Sequence, residues 1–182
     1  IDLTGIEDVK YLPEINAFVE RFIMNKEEAN LYLDLERENS SYDYLETIKN
    51  KYYNVKVLNA HRLIGELRLI KSEEEVNRIR KAIEITIKGV NTLMDNSKAG
   101  MKEYELEAYF DFVCKQNGVK DFAFKTIAAT GKNATILHYV DNDSELKDGD
   151  LILFDLGAQY KYYNADISRT FPVNGKFTKK KK

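Results

Sequence analysis

Two rhythms of apolar residues divide this chain. Spacing of three and four residues marks helices, and strict alternation marks half-buried strands. Residues 4–12, with Thr4, Gly5 and Asp8, read as an opening turn. Pro13 suits the first turn of a helix running to about Met24, with Ile15, Phe18, Val19 and Phe22 as its apolar face. Ala29, Leu31, Leu33 and Leu35 then alternate with polar neighbours, which predicts a strand. A helix over 39–50, with Tyr44, Leu45 and Ile48 inward, leads to a second strand around Tyr53, Val55 and Val57. Residues 1–66 therefore form a small α/β unit with few strands to close a core alone.

Gly65 to Lys71 reads as a connector, with His61 in the NAHRL stretch just before it. Ser72 and Glu75 then form an S-x-x-E capping box. Val76, Ile79, Ile83, Ile87, Val90 and Met94 carry a long helix to about Asn96, and Gly100 breaks it. A second helix over Glu103 to Asn117 places Leu106, Phe110, Val113 and Cys114 on one side and ends at Gly118. Four strands are predicted after it: Phe122–Ile127, Thr135–Val140, Leu151–Gly157 and Tyr163–Phe171, with a turn at Asp148-Gly149. Helices followed by a run of antiparallel strands make the fold class α+β. Apolar sheet surface left open at such a sheet predicts self-association, as a homo-oligomer.

Composition narrows the function classes. The 182 residues carry a net charge of −2 with 32% charged residues, so no basic footprint for nucleic acid or an anionic membrane exists. No apolar run reaches the ~20 residues of a membrane span, and no signal-peptide pattern opens the chain. The single cysteine, Cys114, excludes an internal disulfide, suits a reducing, cytoplasmic setting, and falls in an apolar helical stripe as an inert thiol. The chain starts at Ile1 and stops in Lys179–Lys182 just after a well-patterned strand, which reads as an incomplete chain with a solvated tail.

The chemistry concentrates in LILFDLGAQYKYYNADISRTFP, residues 151–172. Asp155 closes a buried apolar run, and a hairpin with Tyr160 and Lys161 at its tip would set it directly opposite Asp166. Carboxylates so placed repel, and a divalent cation is the simplest compensation. Oxygen ligands of this kind suit manganese, magnesium or cobalt, and two cations about 3.5–4 Å apart could share them. His138, on one face of the Thr135–Val140 strand with Ile136 and Val140, is either half-buried and backbone-bonded or aimed at a substrate. Thr130-Gly131-Lys132-Asn133 lacks the first glycine of a phosphate loop, with Thr126 in its place. Asp141, Asp143 and Glu145 fail as a calcium loop, because Leu146 and Ile152 hold its glycine and glutamate positions.

The run ILHYVDNDSELKDGDLILFDLGAQYKYYNADISRTFPVNGKFT resembles the first half of the metal site of the Xaa-Pro aminopeptidases, pita-bread dinuclear metallopeptidases. LRLIKSEEEVNRIRKA, residues 67–82, resembles the opening of their catalytic domain, so residues 67–182 would be its first half. Residues 1–66 would be the end of a creatinase-like N-terminal domain. The resemblance implies hydrolysis of the bond after an N-terminal residue when proline is second, by hydroxide activated between two metal ions. Manganese is the usual ion, with cobalt, zinc or magnesium as other possibilities. Asp155 would bind one metal, Asp166 would bridge both, and His138 would contact the substrate. The family takes a further histidine and two glutamates from a second half, which is absent before Lys182, so these 182 residues by themselves are expected to be inactive. Prolidase, which cleaves only dipeptides, and a non-catalytic peptide-binding module are the alternatives.

Overall fold

The computed structural model describes residues 5–36 and 40–179, with the backbone alone for 40–44. Thr4, the inward side chain expected of Tyr44, and Lys180–Lys182 lie outside the described residues. The chain forms two compact units, Ile1–Ile70 and Lys71–Lys182.

In the first unit, Pro13 sits in a 3₁₀ turn, Leu12–Glu14, that opens α1 (Ile15–Met24). Strands β1 (Ala29–Leu33) and β2 (Val55–Asn59) pair in parallel, with α2 (Ser40–Lys51) as their crossover. Ile23, Ala29 and Ile48 form a small core, flanked by Val19, Leu31, Tyr52 and Val55. Ile15, Phe18 and Phe22, expected inward, stay exposed. The expected connector is largely helical, because α3 spans His61–Leu69. His61 opens that helix, and its Nδ1 lies 3.1 Å from Asp34 Oδ1.

The second unit opens on α4 (Glu73–Asn96), capped as the sequence indicates: Ser72 Oγ accepts from Glu75 N, and the Glu75 carboxylate accepts from Ser72 N. Its buried stripe is Ala82, Ile85, Thr86, Gly89, Val90 and Leu93. The expected stripe is rotated by about one position, and Ile83, Ile87 and Met94 are exposed. Small residues explain the rotation. A β-carbon on Gly89 would lie 2.4 Å from Phe110 Cδ2, so this face alone lets α5 (Glu103–Gln116) come close.

Strands β3 (Ile127–Thr130), β4 (Leu151–Leu156) and β7 (Ile167–Pro172) form an antiparallel sheet in the order β3-β4-β7. The two-residue strands β5 (Gln159–Tyr160) and β6 (Tyr163–Asn164) extend the hairpin between β4 and β7. Leu106, Phe110, Ile152, Phe154, Leu156 and Phe171 fill the core between helices and sheet. This is the α+β arrangement of helices on an antiparallel sheet, with a polar bond across it. Thr86 Oγ1 donates to Ala82 O at 2.8 Å and accepts from Ala158 N at 3.0 Å, which fixes the start of β5 against α4.

Two expected strands are corrected. Phe122 contributes only an isolated bridge to Ala158, and the real strand begins at Ile127. Thr135–Val140 is no strand: a 3₁₀ turn over Gly131–Thr135 is followed by irregular chain, and Ile136, Leu137 and Val140 are exposed. Side chains take the place of a ladder there. Ala128 N donates to Asn142 Oδ1 at 2.9 Å and Thr130 N to Glu103 Oε1 at 2.6 Å, so the outer edge of β3 is satisfied without a neighbouring strand.

Candidate metal centre

Along β4, Ile152, Phe154 and Leu156 point into the core, while Leu153 and Asp155 face the other way, half-buried. The hairpin tip is Lys161-Tyr162, with φ of 48° and 69°. Both residues adopt the left-handed conformation that a two-residue hairpin needs to match the twist of its strands. The tip therefore lies one residue later than expected. Asp155 pairs with Ser168, whose hydroxyl donates to Asp155 Oδ1 at 2.8 Å, and Asp166 is the diagonal neighbour. Diagonal neighbours stand about 7–8 Å apart at their α-carbons, still within side-chain reach. Direct opposition is thus corrected, yet the carboxyl groups meet. Loss of some hydration, the charge of Asp155 and a hydrogen bond shared with it hold the carboxyl of Asp166, an exposed residue, above the usual carboxylate range.

His138 lies in the irregular chain after the 3₁₀ turn, with φ of 54°, and is exposed. The next residue, Tyr139, is buried and packs with Ile127 and Ala129 and against Leu153. Ile127 is the ladder partner of Asp155, and Ala129 that of Leu153. Directly opposed residues share a face, so the chain carrying His138 covers the same sheet face that presents Asp155.

A family model for metallopeptidase family M24 matches residues 77–182, more than half of the chain. The chain belongs to metallopeptidase family M24. Over 116 residues this M24 chain is 45% identical to an Xaa-Pro aminopeptidase of Escherichia coli K12, covering 64% of itself and 26% of that protein. It is 34% identical to an Xaa-Pro dipeptidase of Pyrococcus horikoshii over 98% of itself and 55% of that protein. A solved structure of a Bacillus anthracis protein assigned to aminopeptidase P superposes with a TM-score of 0.90 at 43% identity, over 98% of this chain and 44% of the other. The M24 chain thus has the fold of the corresponding part of a pita-bread aminopeptidase and spans between a quarter and just over half of these relatives' lengths.

The donor set of the M24 chain fits a divalent cation in kind. Asp155 and Asp166 carry hard oxygen donors near enough to influence each other, and among the described residues neither joins a salt bridge with a lysine, arginine or histidine. It falls short in number, because no group of three or more potential ligands occurs among the described residues. Sequence reasoning missed the residues that shape the site's surroundings. Glu103 is fully buried, Asn142 nearly so, and the half-buried Glu107 carboxylate accepts from Asn142 Nδ2 at 3.0 Å. A signal was present: Glu103, Glu107 and Asp111 recur every four residues beside the apolar stripe of Leu106, Phe110 and Cys114.

Proposed function

We propose that this chain supplies part of the catalytic centre of an Xaa-Pro aminopeptidase, acting on peptides with proline in second position. The interaction of Asp155 with Asp166, with no cationic partner among the described residues, in a chain of this family, carries the reading. Both carboxylates would hold divalent metal, with Asp155 on one ion and Asp166 shared between two, manganese being the usual ion. Such ions, when bound, polarise a carbonyl and lower the pKa of water. The remaining work falls to side chains of this chain. Ser168 orients Asp155 by its hydrogen bond, and His138, exposed above the same sheet face, meets the scissile region of the peptide.

Residues 1–66 are assigned to the end of a creatinase-like domain and 67–182 to the first half of the pita-bread domain. The single buried thiol suits a cytoplasmic setting. Exposed Ile83, Ile87, Met94 and Phe112 favour self-association, which light scattering would contradict by returning a monomer.

A donor set of two carboxylates gives these 182 residues alone little or no expected turnover. The decisive assay therefore uses the polypeptide encoded by the reading frame that contains this chain. With manganese and a tripeptide bearing proline second, the N-terminal residue should be released, and Asp166→Ala should abolish release. Cleavage confined to Xaa-Pro dipeptides would favour a dipeptidase, in line with the Pyrococcus relative. Tripeptide binding without cleavage would refute the enzymatic reading.

A further inference from the structure

Glu103, the first residue of α5, is completely buried, and its carboxylate is full. Oε1 accepts from Thr130 N at 2.6 Å and Asn133 Nδ2 at 3.1 Å. Oε2 accepts from the Tyr139 hydroxyl at 2.8 Å and Ser144 N at 3.0 Å. The Glu103 amide returns a bond to Ser144 O at 3.0 Å, and Asn133 Nδ2 also reaches Ser144 Oγ at 2.9 Å. One side chain thus gathers four donors, one from the last residue of β3 and three from the stretch between β3 and β4. One turn further along α5, Glu107 takes Asn142 Nδ2 at 3.0 Å, whose Oδ1 holds Ala128 N. All four donors to Glu103 are neutral, so the group is organised for geometry rather than charge pairing. Each oxygen takes two donors, one of them a backbone N–H, so an amide in its place would turn its NH₂ toward such an N–H and lose that bond.

His138 sits inside this frame. Its left-handed backbone is uncommon for a non-glycine residue, so the surroundings must hold it. Leu137 on one side is almost fully exposed and offers no hold. Tyr139 on the other side is buried, with its ring on Ile127 and Ala129 and its hydroxyl on Glu103. The imidazole is therefore held beside Tyr139, whose ring packs on β3 and whose hydroxyl donates to Glu103 at 2.8 Å, with Asp143 Oδ1 more distant at 3.5 Å.

We propose that Glu103 is a positioning residue for His138, acting through the Tyr139 hydroxyl to fix the imidazole above the sheet face that carries Asp155. This rests on the reading that His138 meets the substrate. The test uses this chain labelled with ¹⁵N, in which the two histidines give few and assignable imidazole signals. Tyr139→Phe keeps the ring and removes only the hydroxyl. The amide order parameter of His138 should fall from about 0.85, typical of rigid backbone, to below about 0.6. The His138 imidazole signals should move toward those of an averaged ring, while α4 and the β3-β4-β7 sheet stay unchanged. Glu103→Gln should loosen residues 131–144 more widely; if that variant fails to fold, Tyr139→Phe still decides. A merely structural Glu103 would lower the melting temperature in both variants and leave His138 as ordered as before, which overturns the proposal. His138→Ala in the polypeptide encoded by the reading frame that contains this chain separates the two ideas. Unchanged turnover there, with a loosened His138 in Tyr139→Phe, sinks the substrate contact and leaves the positioning intact.

Discussion

Gly157 lets the backbones of the two carboxylate-bearing segments approach closely, and Gly157→Ala perturbs that geometry directly. A β-carbon there would stand 1.8 Å from Ala165 O, 2.7 Å from Ala165 C and 3.2 Å from Ala123 Cβ. Ordinary carbon contacts lie at about 3.5–4.0 Å, so the Ala165 backbone would have to retreat by roughly 1.5 Å. It is not free to do so. Ala165 N donates to Ala158 O at 3.0 Å, Ala123 N donates to Gly157 O at 2.9 Å, and Ala158 N is bonded to Thr86. Overpacking costs about 1–3 kcal/mol and a lost backbone bond about 1 kcal/mol more, so a destabilisation of about 3 kcal/mol is expected. With a urea slope of about 1–3 kcal/mol/M, the midpoint followed by far-ultraviolet circular dichroism should drop by about 1–3 M. Gly89→Ala is the control. Its obstruction is the Phe110 ring, a side chain, so its cost should be smaller. A Gly157→Ala midpoint within about 0.2 M of wild type would refute the close approach, since surface-like substitutions stay within about 0.5 kcal/mol.

Three further outcomes follow from the charges. Asp155→Asn should lower the Asp166 pKa toward the ordinary carboxylate value in a ¹³C titration, because the charge and hydrogen bond of Asp155 both raise it; an unmoved titration would show that the two groups do not interact. Between the ordinary value and the raised one the folded chain binds more protons than the unfolded chain, so wild-type stability falls as pH rises through that window. Asp155→Asn should therefore be the more stable protein at pH 7 without metal, with the difference gone at low pH. Glu107, half-buried, is also raised, chiefly by burial and further by Asp111, against the Asn142 bond. By the same sign, Glu107→Gln, which keeps an acceptor for Asn142, should gain stability over wild type as pH rises above about 4.5, and a flat difference in thermal scans from pH 4 to 8 would contradict it. Burial, with the nearby Asp111 charge, pushes the Cys114 thiol up to about 12, so a thiol reagent at pH 8 should label it only on unfolding; rapid labelling of the folded chain would be inconsistent with that burial.

Apart from α3, read as a connector, the helices were legible because local signals decide them. The Ser72–Glu75 box and the spacing of Leu106, Phe110, Val113 and Cys114 stand in the sequence and in the structure alike. The buried face of α4 was less legible, since Ile83 and Ile87 outweigh Ala82, Thr86 and Gly89 on any hydropathy scale. Close approach selects small residues, and periodicity does not see closeness. ILHYV alternates like a strand, but the β3 edge it would pair with is taken by side chains, Ala128 N donating to Asn142 and Thr130 N to Glu103, 14 and 27 residues away. Those long-range bonds override a local pattern. The hairpin was misplaced by one residue because Lys161-Tyr162 lacks the Asn-Gly signature of its turn. Asp155 and Asp166 still meet, since a diagonal pair is within reach in that register.

Manganese binding to this chain tests the central claim most directly, read by the loss of the free-ion electron paramagnetic signal and needing no turnover. Wild type should bind the ion weakly and reversibly, and both Asp155→Asn and Asp166→Asn should weaken binding by about tenfold or more, equal to about 1.4 kcal/mol. Equal manganese binding by wild type and the two variants would mean that the paired carboxylates do not hold the metal.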